Sequence, residues 1–182
     1  YGKGYITDEM CGCKFRVSPH SFYQVNSEQT EKLYSKAVSC AELKKGDKVI
    51  DAYCGTGTIT LFLAQKARKV YGIEIVKPAV LDAQKNARDN HIKNAEFIVG
   101  DATEVMPRLY KQGIRADVVV VDPPRAGCTP TVLRTFANMH PRRIVYVSCN
   151  PASLARDLSI LQTLGYVAEK VQPVDMFPMT SH

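Results

Sequence analysis

The short motif Asp122-Pro123-Pro124-Arg125 carries a residue that could do chemistry, directly after the four valines of the run 118–121. Two prolines fix the backbone and remove two N–H donors, so the acid is held rigidly and nearby carbonyl groups are free. An ordinary turn explains one proline, whereas an acid with two prolines at the end of a predicted strand favours a binding or catalytic site.

A second motif, Ser148-Cys149-Asn150-Pro151, follows another apolar run. Asn150 is a good helix N-cap and Pro151 a good first helical residue, so Cys149 is predicted to lie just outside a helix N-terminus. The helix dipole stabilises a thiolate there, and the thiolate is the nucleophilic form of cysteine. A small buried cysteine is the alternative. The strand-end position favours the nucleophile.

A third stretch, residues 48–61, is typical of a buried strand, a glycine turn and the start of a helix. Gly55 and Gly57 permit a tight turn and the close approach of a ligand. Thr60 replaces the third small residue of a dinucleotide fingerprint, which argues against a pyrophosphate and leaves S-adenosylmethionine as a candidate. Glu74 follows the next β-rich run, where an acid that holds ribose hydroxyls is expected.

These motifs need a sheet that brings strand ends together. Strand-like runs alternate with helical patterns along the chain, which predicts an α/β, Rossmann-like fold with a mostly parallel central sheet and helices on both faces. Residues 1–40 are expected to form a lead-in strand, loop and helix, and residues 41–182 the main domain. The predicted strands are 14–17, 49–50, 70–73, 97–99, 117–121, 144–147 and 166–171.

Composition limits the class of protein. The 182 residues are 45% hydrophobic, enough for one good core, and contain no run of membrane-span length. No signal peptide is expected. The six cysteines lack the spacing of a metal site, so no metal is expected, and reduced thiols in the cytoplasm are favoured over disulfides. A net charge of +6 suits a polyanionic partner.

The motifs together resemble the RNA (uracil-5-)-methyltransferases, most closely the bacterial type that acts on 23S ribosomal RNA. The matching stretches are 21–26, 51–57, 122–125 and 148–151. The resemblance implies a class I methyltransferase fold, S-adenosyl-L-methionine as cofactor, RNA as partner and a monomer in the cytoplasm. With the two glycines above, the predicted cofactor-binding residues are Gln24, Tyr53, Gly55, Gly57, Glu74, Asp101 and Asp122, and the predicted nucleophile is Cys149.

The resemblance also implies a mechanism. The Cys149 thiolate adds to carbon 6 of uracil, which makes carbon 5 nucleophilic enough to take the methyl group, and a base then removes the carbon 5 proton. In the family this base is a glutamate after a His-Val pair. It is expected beyond His182, so the chain is expected to be a fragment with impaired turnover, without the RNA-binding barrel of the family.

Other interpretations remain open. A tRNA uracil-5-methyltransferase would carry the same motifs. An amino-group methyltransferase shares the fold and an Asp-Pro-Pro motif, but usually has an aromatic residue where Arg125 stands, and needs no cysteine. A nicotinamide dehydrogenase is disfavoured by Thr60. A non-catalytic RNA-binding module explains the charge but gives Asp122 and Cys149 no role.

Overall fold

The computed structural model describes residues 4–19 and 21–180. His20 and the expectations about the chain ends at Tyr1 and His182 lie outside these residues. In this part of the chain no helix is long and apolar enough to cross a membrane. The elements in chain order are β1 (Ile6–Met10), β2 (Cys13–Val17), α1 (Ser27–Cys40), β3 (Lys48–Ala52), α2 (Thr58–Ala64), β4 (Lys69–Glu74), α3 (Lys77–Asp89), β5 (Ala95–Val99), α4 (Ala102–Lys111), β6 (Val118–Val121), α5 (Pro130–Met139), β7 (Arg143–Tyr146) and α6 (Pro151–Thr163).

Five of the strands form a parallel sheet in the order β5-β4-β3-β6-β7, and β1 and β2 form a separate antiparallel hairpin. The valines of β6 are fully buried, as expected for a central parallel strand covered on both faces. The predicted α/β architecture is therefore confirmed. The strand order reverses between β3 and β6, and open α/β sheets bind their ligands beside such a reversal.

Helices cover both faces of the sheet. The hairpin, α1, α2 and α3 contribute to one apolar core, and α4, α5 and α6 contribute to the other. Successive residues of a strand point to opposite faces. Val118 and Val120 accordingly face the first core, and Val119 and Val121 face the second. This alternation also decides which face each strand-end side chain reaches.

The predicted strand at 166–171 is wrong, because this segment forms no strand in the structure. Val167 and Val171 are 77% and 71% exposed. An alternating pattern makes a strand only where a neighbouring strand completes its hydrogen bonds, and this segment has no such neighbour among the described residues. The hairpin strand β1 was not predicted, since Ile6–Met10 is mostly polar.

Candidate active site at the carboxyl edge of the sheet

Four segments meet at the carboxyl edge of the sheet beside the reversal in strand order. They are the loop 53–57 after β3, Glu74 at the end of β4, the loop 122–128 after β6 and the segment 147–150 after β7. The backbone N–H of Val147 donates to the carbonyl of Val121, which holds the last two segments side by side. All three predicted motifs thus lie at one edge.

Two acids lie on the same face of this edge. Asp51 is fully buried, and its Oδ2 accepts a hydrogen bond of 2.5 Å from the Thr60 hydroxyl. Its Oδ1 has no hydrogen-bond partner among the described residues. Burial raises the pKa of Asp51 to about 7; the Thr60 hydrogen bond opposes this, and the charges of Asp122 and Glu74 add to it. The side chain is a buried acceptor with one free oxygen.

Asp122 is the second acid, and it lies close to Tyr34 of α1. Burial raises the pKa of Asp122 to about 6, and hydrogen bonding with Tyr34 acts in the opposite direction. Tyr34 is a buried residue of α1 that also interacts with Gln24, and burial raises its own pKa. Tyr34, which the sequence did not single out, therefore lies close to both predicted residues, Gln24 and Asp122.

Glu74 binds the glycine loop through a hydrogen bond. One carboxylate oxygen of Glu74 accepts from the Gly55 N–H at 3.0 Å, and the other accepts from the Val76 N–H at 2.8 Å. A carboxylate offers about four lone-pair sites, so Glu74 keeps acceptor capacity for a ligand. Its position at the end of β4, beside the loop, agrees with the predicted ribose-binding role, which stays a prediction.

The two glycines of the loop differ in what surrounds them. A Cβ at Gly55, where φ is +54°, would meet nothing within 4 Å. A Cβ at Gly57, where φ is +83°, would lie 3.0 Å from both Ala83 and Phe97. Gly55 therefore borders open space that a ligand can enter, whereas packing alone is enough to require glycine at position 57. Contact between Gly57 and a cofactor stays a prediction.

Tyr53 and Asp101 have contacts that the sequence did not predict. Tyr53 has a left-handed backbone with φ +72°, and its half-buried ring places its hydroxyl beside Cys128. Asp101 is exposed and caps α4, accepting a hydrogen bond of 2.7 Å from the Thr103 N–H. Helix capping accounts for an acid at this position. Cofactor binding by either residue stays a prediction.

Cys149 is the only exposed cysteine of the six, all of which the structure describes. It immediately precedes Asn150, whose Oδ1 accepts a hydrogen bond of 3.0 Å from the Ala152 N–H and caps α6. Cys54 and Cys128 lie at the same edge but are buried, and burial raises the pKa of both thiols. The predicted placement of Cys149 outside a helix N-terminus is confirmed.

A buried acid holds the loop 122–128 against α6. The Oδ2 of Asp157 accepts from the Cys128 N–H at 2.7 Å and from the Tyr146 hydroxyl at 2.6 Å. Its Oδ1 accepts from Nε of Arg156 at 2.8 Å, and the same guanidinium donates to the Ala126 carbonyl at 2.7 Å. Sequence reasoning missed Asp157, because a helical acid is ordinarily solvated and only the fold reveals its burial.

Together these features suit a positively charged ligand. The free oxygen of Asp51, the second acid Asp122 and the open space at Gly55 are all at this edge. A buried acceptor without a partner is costly, and a cation or hydrogen-bond donor relieves that cost. The exposed thiol of Cys149 at the same edge is available to a second, electrophilic molecule.

Several known proteins are similar to this chain. The family described as tRNA (uracil-5-)-methyltransferase matches residues 6–182. Proteins named as uncharacterized RNA methyltransferases in Halalkalibacterium halodurans and Clostridium tetani are 58% and 57% identical over all 182 residues, and the chain spans 40% of the length of each. The crystal structure of Pyrococcus abyssi tRNA (uracil-54, C5)-methyltransferase in complex with S-adenosyl-L-homocysteine is similar, with a TM-score of 0.82 and 34% identity over 98% of this chain and 42% of that one.

Proposed function

Because the chain belongs to the tRNA (uracil-5-)-methyltransferase family, we propose that it forms the methyl-transferring part of an enzyme that methylates carbon 5 of uridine in RNA. The observation that carries this proposal is the position of Cys149. Its thiol is exposed at the N-terminal end of α6, at the same sheet edge as Asp51 and Asp122. A binding module would need no exposed thiol at this point.

S-adenosyl-L-methionine is the proposed cofactor, and when bound it supplies the methyl group. Burial raises the pKa values of Asp51 and Asp122, and a sulfonium or ammonium group beside them would favour their ionised forms and be stabilised by them. Glu74 is proposed to accept hydrogen bonds from ribose hydroxyls with its remaining lone pairs. Gln24, Tyr53, Gly55, Gly57 and Asp101 complete the proposed cofactor-binding set.

Cys149 is proposed to act as the nucleophile. Its thiolate forms a bond to carbon 6 of the target uracil, and the electron pair of the carbon 5–carbon 6 double bond moves into an enolate. Carbon 5 then takes the methyl group, a base takes the carbon 5 proton, and the thiolate leaves as the double bond re-forms. The exposed position leaves room for a nucleobase to reach the sulfur.

We propose 23S ribosomal RNA as the substrate, on the similarity of the four motif stretches to that type of enzyme. Transfer RNA is the second candidate, favoured by the 34% identity to the Pyrococcus abyssi tRNA enzyme. The protein is proposed to act as a monomer in the cytoplasm. Unmodified 23S ribosomal RNA and tRNA transcripts, each incubated with S-adenosyl-L-methionine, should separate the two substrates by the 5-methyluridine content of their digests.

The position of the methyl group tests the reaction itself. Mass spectrometry of the digested RNA should find the added methyl group on carbon 5 of uridine. With RNA that contains 5-fluorouridine, the carbon 5 substituent cannot leave as a proton, so a covalent protein–RNA complex should accumulate. Methylation of an exocyclic amino group without any covalent complex would instead identify an amino-group methyltransferase.

A further inference from the structure

Side chains of α3 and of its C-cap residue Asn90 bind the edge of β2 that faces away from β1. Asn90 accepts a hydrogen bond of 2.8 Å from the Lys14 N–H and donates one of 2.7 Å to the Lys14 carbonyl. One helical turn earlier, Asn86 makes the same pair with Arg16, at 2.8 and 3.1 Å. Asp82, a further turn back, accepts from the Ser18 N–H at 2.9 Å.

The spacing of the two elements explains this fit. Residues four apart share one face of a helix and advance about 6 Å along it, and residues two apart share one edge of a strand and advance about 6.6 Å. Side chains 82, 86 and 90 can therefore meet backbone groups 18, 16 and 14 one after another. The three side chains act as a substitute strand beside β2.

Asn86 has one contact that its two neighbours in this row lack. Its side-chain amide also donates a hydrogen bond of 3.1 Å to the Thr56 carbonyl, between the two glycines of the loop 53–57. Asn86 is fully buried, and both of its amide hydrogens are used. A single side chain therefore joins the hairpin edge to the glycine loop.

We propose that Asn86 is a positioning residue that fixes the glycine loop for cofactor binding and links its order to the hairpin. This inference rests on the proposed function, since it assumes that the loop binds the cofactor. Three residues of the loop have left-handed backbones, namely Tyr53, Gly55 and Gly57. Glycine loses more conformational freedom than any other residue when the chain becomes ordered. The hydrogen bond from Asn86 to the Thr56 carbonyl stabilises the ordered loop beside the open space at Gly55.

The test compares three variants of the chain by calorimetric titration with S-adenosyl-L-homocysteine, well below their unfolding temperatures. Asn86→Ala should weaken binding by about tenfold, the effect of losing one buried hydrogen bond with its partner left unsatisfied. Asn90→Ala removes the contacts with Lys14 of the hairpin, and Asp82→Ala removes those with Ser18 and Ser21 just after it. Neither side chain forms a hydrogen bond with the described residues of the glycine loop 53–57. Asp82 matches Asn86 in being buried. Both controls should bind within about twofold of the unaltered chain.

Equal losses of affinity in all three variants, or none in Asn86→Ala, would overturn the positioning role. Absence of binding by the unaltered chain would instead contradict the proposed function. Should Asn86→Ala not fold, hydrogen exchange in the unaltered chain decides. Bound S-adenosyl-L-homocysteine should slow exchange of the Arg16 amide at least about threefold and leave the Lys14 amide unchanged; equal responses at the two amides would overturn the proposal.

Discussion

The side-chain amide of Asn150 donates a hydrogen bond of 3.1 Å to the carbonyl of Arg125. The residue after Cys149 thereby fixes the loop that begins at Asp122. Because Asn150 also caps α6 through its oxygen, one side chain stabilises both the helix end and the contact between the segments that carry the proposed nucleophile and the proposed cofactor acid. The two functions of this side chain can be separated by substitution.

Asn150→Ser should separate them. Serine is a good N-cap and is neutral, so the free energy of unfolding should change by less than about 1 kcal/mol. Serine has no amide to reach Arg125, so covalent complex formation with 5-fluorouridine RNA should slow by about tenfold. Asn150→Ala should lose both the cap and the link. Stability comes from urea unfolding and the rate from timed denaturing gels; an unchanged rate in Asn150→Ser would show that the link is dispensable.

Cys149→Ala should abolish the covalent complex with 5-fluorouridine RNA and the 5-methyluridine product, because no other cysteine of the chain is exposed. Cys54→Ala is the matched control, since Cys54 lies at the same edge but is buried. The control should form the complex at an undiminished rate. A denaturing gel of protein with labelled RNA checks both, and a complex that survives in Cys149→Ala would exclude this residue as the nucleophile.

Glu74→Ala should weaken binding of S-adenosyl-L-methionine by about 10- to 100-fold, since a hydrogen bond to a charged group is worth roughly 1.5–3 kcal/mol. The variant loses two interactions: the proposed hydrogen bonds to the ribose, and the hydrogen bond that Glu74 accepts from the Gly55 N–H. Glu96→Ala removes a carboxylate from β5 that pairs with Lys69 on the protein surface, and it should leave the affinity unchanged. Equal affinity of the Glu74 variant by calorimetry would remove Glu74 from the site.

Asp51 should make stability depend on pH. Its folded-state pKa of about 7 lies above the unfolded value of 3.8, so the folded state keeps the proton longer. The stabilisation is complete below pH 4 and is lost as the pH rises to 7, with a slope on the order of 1 kcal/mol per pH unit. Urea unfolding between pH 6 and 7 should show this slope, reduced in Asp51→Asn. Asp89→Asn controls for removing a surface carboxylate, and parallel slopes in all three proteins would contradict the assignment.

The two loop glycines should respond differently to alanine. Both substitutions pay the penalty of a left-handed alanine, about 1–2 kcal/mol. Gly57→Ala adds a clash with Ala83 and Phe97, and overpacking costs typically a further 1–3 kcal/mol. Gly55→Ala should therefore be the more stable variant in urea, yet it should lose more cofactor affinity because its methyl group enters the open space. A Gly55 variant with unchanged affinity would place the cofactor elsewhere.

The correct predictions depend on short-range sequence patterns, in which a residue and its neighbours along the chain determine the local structure. The cap at Asn150, the proline at the start of α6 and the buried valines of β6 each follow from neighbouring residues. Tyr34 and Asp157 escaped prediction because their partners are distant in sequence, at Asp122 and Cys128. Asp51 could have been predicted, because a charged residue within a buried strand is unusual. It was not assigned a role because the adjacent glycine motif already indicated a ligand site.

The side-chain row on α3 also bears on how separate molecules meet. An exposed strand edge offers unpaired N–H and C=O groups to any other chain, and it is a common starting point for aggregation. On β2 those groups at Lys14 and Arg16 are already taken by Asn90 and Asn86. At Lys14 and Arg16 the hairpin edge is therefore closed to pairing with a strand of another molecule.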